Sequence, residues 1–392
     1  MINPGDYLDP ISIEKPDSLY IPEQSQFSHH IAVHTENKPV SSLKGFRIAI
    51  VGLPEDRMSD NRGSDMAPDA IRRVLYPMAR IPGKLRIADL GNLKKGVTFN
   101  DTVAALNELL DWLLDEGVFT VLIGGSSALV RSVDRYFSAR KQEYSLATID
   151  SRIDYNSDRK DADASNFLST LFQGGRSSLT HFTNIGYQIY LNDPQAINRL
   201  NRKKYDLMRV GDVRQAIHLT EPRLRDTDAI IFDIGVVRQS DAPGTLNPSP
   251  NGLYGEESCL LARYSGVSEK LKLFGLFEVN PTKDNNGQTS SLAAQILWFL
   301  LESYSQKQHE DPSVTASDGG RFIRYHITVP DPGVEMVFVK SNFTDRWWIE
   351  VPLHDGGSKY VSCSYEDYLQ ANANEIPERW IRANSRFGNK KG

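Results

Sequence analysis

The chain has 392 residues, 40% hydrophobic and 24% charged, with a formal net charge of −5. This is the balance of a soluble globular protein with room for one large core or two domains, and it gives no electrostatic basis for binding nucleic acid or an anionic membrane. With only two cysteines, Cys259 and Cys363, no disulfide framework is expected, and Cys259 reads as core filler inside an apolar helical pattern.

Residues 1–43 are polar and proline-marked, without a sustained period, and read as an extended arm. His29, His30 and His34 fall there without acidic or cysteine partners nearby, so they read as a solvated segment. The basic pairs Arg72-Arg73, Lys94-Lys95 and Lys203-Lys204 are scattered and read as solvated faces. No charged-then-apolar leader opens the chain, and the apolar run Ile296–Leu301 is too short to span a bilayer, so a cytoplasmic protein is expected.

From residue 46 the pattern alternates. Apolar runs predict strands over 46–52, 85–90, 118–125, 145–150, 182–188, 206–210, 229–234 and 273–279. Helical spacing predicts helices over 69–76, 101–115, from 127, and over 166–172, 213–219, 255–264 and 290–304. In the second of these, Val103, Leu106, Leu109, Leu110 and Leu113 form the buried stripe and Gly117 ends it. Such alternation predicts an α/β fold: a mostly parallel sheet covered by helices on both faces. No G-x-G-x-x-G, phosphate loop or G-x-S-x-G elbow occurs.

Residues 305–318 form a polar break. Beyond it, 322–329, 335–339 and 347–351 read as antiparallel strands rich in aromatics, and 365–385 as helical. The expected organisation is an arm (1–43), an α/β domain (44–305) and a small aromatic-rich β/α appendage (306–392) packed on it. Trp347, Trp348, Trp380 and the segment 375–382 offer interface-type side chains, though covering the α/β core explains them as well.

Four acidic residues close predicted parallel strands: Asp150, Asp154, Asp233 and Glu278. Parallel strand ends converge on one rim, where open α/β sheets bind ligands. Each one alone could cap a helix or meet a surface lysine; four at successive strand ends point to a shared site. Buried together they need a positive partner, because like charges in low dielectric repel. A divalent metal, a basic side chain or protons could each serve.

These residues resemble the ureohydrolase superfamily of arginases, agmatinases and formimidoylglutamases. Gly124-Gly125-Ser126-Ser127-Ala128 resembles its Gly-Gly-Asp-His-Ser segment, and Asp150-Ser151-Arg152-Ile153-Asp154 its Asp-Ala-His-x-Asp segment. Asp233-Ile234-Gly235 resembles Asp-x-Asp, and Glu278-Val279-Asn280-Pro281 the segment carrying a substrate-binding glutamate. Gly63 with Ala67–Arg72, and Asn184–Gln188, resemble two further family segments, and Ala242-Pro243-Gly244 with Pro248 and Gly252 is spaced as in formimidoylglutamases. The resemblance spans about residues 46–305 and implies a three-layer α/β/α arginase-like fold.

It also implies a dinuclear manganese site of two histidines and four aspartates, in which both ions activate the attacking water. Here the histidine positions hold Ser127 and Arg152, and one aspartate position holds Gly235. Asp150, Asp154 and Asp233 would remain for one ion, manganese by resemblance; the second ion would lose its private ligands. His181 and His218 match no ligand position and read as structural.

Three functions stay open at this point. The first is a catalytically impaired family member in which Arg152 replaces the second ion, with a role in assembly or in binding a small amidino or amino-acid-like ligand through Glu278. The second is a one-metal hydrolase of linear amidine C–N bonds, formimidoylglutamate first among the substrates. The third is an interaction protein acting through the appendage. The resemblance further implies a homo-oligomer.

Overall fold

Strands whose alternate side chains are all apolar must be covered on both faces. In the strand Ile48–Leu53, Ile48 and Ile50 face one core while Ala49, Val51 and Leu53 face the other. The computed structural model describes residues 4–12, 20–156, 163–173, 177–313, 320–353 and 356–387. Its larger sheet comprises β1 (Leu8–Asp9), β2 (Ala32–Val33), β3 (Ile48–Leu53), β4 (Ile87–Leu93), β5 (Phe119–Gly124), β6 (Tyr144–Ile149), β7 (Leu179–Tyr187), β8 (Asp206–Arg209), β9 (Ala229–Asp233) and β10 (Leu273–Phe277). The order is β1-β4-β3-β5-β10-β9-β6-β7-β8, with β2 also on β4. Among the described residues, the sheet's β1–β4 pair is antiparallel and its other pairs are parallel.

One face carries the helices Phe99–Asp115, Arg131–Ala139, Phe167–Gln173 and Pro194–Arg202; the other carries Ala67–Leu75, Gly255–Gly266 and Gln288–Gln306. This is the expected α/β/α sandwich. The helix Phe99–Asp115 buries the predicted leucine stripe and opens on a capping box between Thr98 and Asp101. Among the described residues no helix is long and apolar enough to cross a membrane.

The N-terminal segment joins the sheet, unlike the arm expected from its polarity. Leu8, Phe27 and Leu43 are buried, and β1 and β2 extend the β4 edge. His34 is buried as well, its Nδ1 accepting the Val40 N–H at 3.0 Å; burial lowers its pKa. His29 and His30 are exposed as expected. Arg72 is no solvated residue either: it is fully buried, its Nη2 2.8 Å from Asp89 Oδ1.

The appendage is a separate antiparallel sheet of β11 (Phe322–Val329), β12 (Val334–Ser341), β13 (Trp347–Pro352) and β14 (Ser358–Cys363), followed by the helices Tyr365–Asn372 and Glu378–Phe387. Part of the polar break at 305–318 lies outside the described residues. Trp347 and Trp348 are buried. The Arg225 guanidinium lies 4.6 Å over the Trp348 ring and donates through Nη2 to the Trp347 carbonyl.

The appendage docks beneath the N-terminal ends of the parallel strands. Arg379 is nearly fully buried and pairs with Asp206, the first residue of β8, at 2.8 Å and with Asp226 at 3.3 Å. Burial alone would raise the Asp206 carboxyl; the hydrogen bond from His181 and the Arg379 charge outweigh it and hold it far below the usual range. His181 is thus structural, its Nε2 3.1 Å from Asp206. His218 lies 2.8 Å from Glu366 and ties the core to the appendage.

Candidate functional site

The opposite, C-terminal rim gathers the predicted acidic residues. Asp150 follows β6, Asp233 ends β9 and Glu278 follows β10, on adjacent strands of the order β10-β9-β6. All line one cavity of about 370 Å³ together with Asp154 and Ser127. β5 ends on Gly124 and is followed by Gly125, where nothing larger fits: a Cβ on Gly125 would meet the Glu55 carbonyl oxygen at 2.4 Å.

The loop Asp150–Asp154 is clamped from beneath. The Asn184 side-chain amide donates to the Arg152 carbonyl at 3.2 Å, and that of Asn192 to the Ser151 carbonyl at 3.1 Å. The Asn192 Oδ1 accepts the Ile153 N–H at 2.6 Å. Asp150 Oδ1 accepts the Arg152 N–H at 2.8 Å, and Asp233 Oδ1 the Gly235 N–H at 2.7 Å.

Glu278 is held by four donors. Its Oε1 accepts from the Ser127 N–H at 2.9 Å and Oγ at 3.2 Å; its Oε2 accepts from Ser59 Oγ at 3.2 Å and Asn61 Nδ2 at 3.1 Å. Its backbone is left-handed, with φ of 66°, a conformation costly for a side chain of this kind. Ser59, Asn61 and Asn192 escaped the sequence reading. They lie on irregular loops without periodicity, although the neighbouring Gly63 carried a family-like signal.

Desolvation pushes the carboxyls of Asp150, Asp154 and Asp233 well above the usual range, and mutual repulsion adds to it. Glu278 is raised by burial too, against the pull of its donors. Among the described residues none of the four forms an ion pair with a basic side chain. Arg152 does not pair with the carboxylates as the sequence suggested. It is exposed, lines the cavity and makes no ion pair among the described residues. Its charge lowers the three aspartates only as a secondary influence. Arg62, largely exposed, lines the cavity as well and reaches Asp56 at 3.5 Å.

The model of the Arginase family matches residues 46–302. This chain belongs to the arginase family. Among its relatives, a formimidoylglutamase of Ralstonia nicotianae is 25% identical over 285 residues, covering 67% of this chain and 86% of the relative. A proclavaminate amidinohydrolase of Streptomyces clavuligerus is 26% identical, covering 75% and 98%. The crystal structure of formimidoylglutamase from Bacillus subtilis superposes with a TM-score of 0.65 at 18% identity, covering 76% of this chain and 98% of that one. A Trypanosoma cruzi formiminoglutamase with Mn2+ gives 0.62 at 18%, covering 69% and 97%. The two sets agree on the fold and on formimidoylglutamase-like relatives.

The donor set decides which metal positions remain plausible chemically. Three buried carboxylates without a basic ion-pair partner among the described residues are the donor type that suits one hard divalent ion. The second family position does not fit: Ser127 is engaged with Glu278, Arg152 brings a positive charge, and Gly235 supplies only its N–H to Asp233. Among the described residues, the side chains as they stand form no ready cluster of three or more His, Cys, Asp or Glu around an ion position.

Proposed function

We propose that this arginase-family protein is formimidoylglutamase-like but has lost dinuclear hydrolysis, and that it binds a small amidino or amino-acid-like ligand. One observation carries this reading. Asp150, Asp154, Asp233 and Glu278 line one cavity without a basic ion-pair partner among the described residues. Such a lining suits compensating charge brought by a metal ion, a cationic ligand or protons.

A divalent ion, manganese by family resemblance, would be held by Asp150, Asp154 and Asp233 and would supply charge compensation and Lewis acidity. Glu278, oriented by Ser127, Ser59 and Asn61, accepts hydrogen bonds from the amidinium end of the ligand. Arg62 and Arg152 at the cavity wall receive an acidic end, so an amino-acid-like amidine such as formimidoylglutamate suits the charge pattern better than agmatine.

The intact aspartate trio also supports a second reading, slow one-metal hydrolysis of linear amidine C–N bonds. Metal analysis and an amidine panel test both. Two tightly held manganese ions per chain would overturn the loss of the dinuclear site. Steady release of ammonia, formamide or urea, abolished in Asp150→Asn, would establish the hydrolase; ligand binding without release supports the first reading.

A further inference from the structure

A second cavity, also of about 370 Å³, lies at the opposite rim between the α/β domain and the last helix. Five cationic side chains line it, Lys203, Lys204, Arg379, Arg382 and Arg386, against one carboxylate, Asp206. That carboxylate is already committed: its Oδ2 meets His181 at 3.1 Å and Arg379 at 2.8 Å, and its Oδ1 meets Arg382 at 3.5 Å. Arg382 is further neutralised by Glu378 at 2.6 Å.

Lys203, Lys204 and Arg386 make no ion pair among the described residues. Lys203 sits 5.0 Å over the Phe172 ring, and Arg386 shares the Phe387 ring with Lys359, at 4.3 and 3.9 Å. Two cations on one ring repel each other, and although Arg386 is exposed overall, desolvation of its guanidinium and the Arg379 charge push it down to about 10. A bound anion relieves both effects. Lys203 and Lys204 are exposed, as expected of a solvated face, and the fold sets the pair opposite the basic last helix.

We propose that this cavity binds a phosphate-bearing small molecule through Lys203, Lys204 and Arg386. A phosphoryl group carries close to two negative charges and several acceptor oxygens, matching three unpaired donors better than a single carboxylate does. A bounded cavity, in a chain of net charge −5, favours a small molecule over a nucleic-acid strand. The ligand bridges the α/β domain and the last helix, so its binding strengthens their docking. The inference is independent of the carboxylate site.

The test is calorimetric titration of the full chain, in EDTA at fixed ionic strength, with orthophosphate, pyrophosphate and a nucleoside diphosphate. Saturable binding with one site per chain is expected for at least one of them, at least tenfold weaker in Lys203→Ala/Lys204→Ala and in Arg386→Ala. Orthophosphate binding alone assigns the site to the free ion; a preference for the other two assigns it to a phosphorylated metabolite. Both lysines are exposed, so their substitution spares the core, and far-UV circular dichroism checks it. No saturable binding by any of the three, or binding that survives all the substitutions, overturns the proposal. Thermal stabilisation matched by sodium chloride at equal ionic strength does so too.

Discussion

Asn61 holds Glu278 at both ends, its Nδ2 donating to the backbone carbonyl at 2.9 Å and to Oε2 at 3.1 Å. One buried amide thereby fixes a left-handed backbone and orients the carboxylate beside the cavity. Asn61→Ala leaves both acceptors with fewer donors in a buried place and is expected to cost about 1–3 kcal/mol in urea unfolding. A loss below about 0.5 kcal/mol, within the range of ordinary surface substitutions, would show that the amide is dispensable.

Burial and mutual repulsion raise the carboxyls of Asp150, Asp154 and Asp233, and no basic side chain among the described residues pairs with them, so the trio is expected to destabilise the metal-free protein. In EDTA, Asp154→Asn is expected to raise the melting temperature; the same change abolishes binding of a single manganese ion, measured by elemental analysis after gel filtration. An unchanged metal content would remove Asp154 from the ligand set.

Restoring the family residues tests which departure matters. Gly235→Asp alone is expected to recover no second ion, since position 127 still holds a serine and Arg152 still lines the cavity. The triple change Ser127→His, Arg152→His, Gly235→Asp is expected to raise manganese from at most one to two per chain. Recovery by the single change would show that the arginine is no obstacle.

Arg152→Ala is expected to weaken an acid-bearing amidine about tenfold or more, the scale of one charge-assisted hydrogen bond, while sparing the same amidine without its carboxylate. Equal weakening of both ligands in calorimetry would assign Arg152 to the general field of the cavity.

Acid acts on the appendage junction with a definite sign. His181 and Asp206 both titrate below their unfolded values, so between the folded and unfolded values the unfolded chain binds more protons. Their contribution is full above about pH 6.5 and falls first as unfolded His181 protonates, then further below about pH 4 through Asp206. Arg379→Met is expected to cost about 3–5 kcal/mol, because it leaves buried Asp206 without its closest cation and Asp226 with Lys270 alone at close range. If unfolding followed across pH 4–8 shows the same stability loss in a His181→Gln variant as in the parent, the histidine component is absent.

The strands with continuous apolar runs were readable because the run and a glycine near its end agree, as in β3 and β5. Short or polar elements were not. β1 and β2 offer two residues each, too few for a period, and β14 (Ser358–Cys363) alternates weakly. The helix Pro194–Arg202 did carry a start signal, Asp193 capping a proline at the first turn, but its polar surface obscured the stripe of Ala196, Ile197 and Leu200. The acidic residues were legible from their place at strand ends. The direction of Arg152 was not, since sequence gives the position of a side chain on a loop and not the side to which it turns.

The sheet has two working edges. One gathers the carboxylates; the other carries β11–β14 and the last helices, anchored through Arg379. Chemistry at the first edge can therefore erode or be rebuilt without loosening the attachment at the second. For the same reason, a surface or fluorophore tethered on the appendage sheet leaves the mouth of the acidic cavity open to whatever enters it.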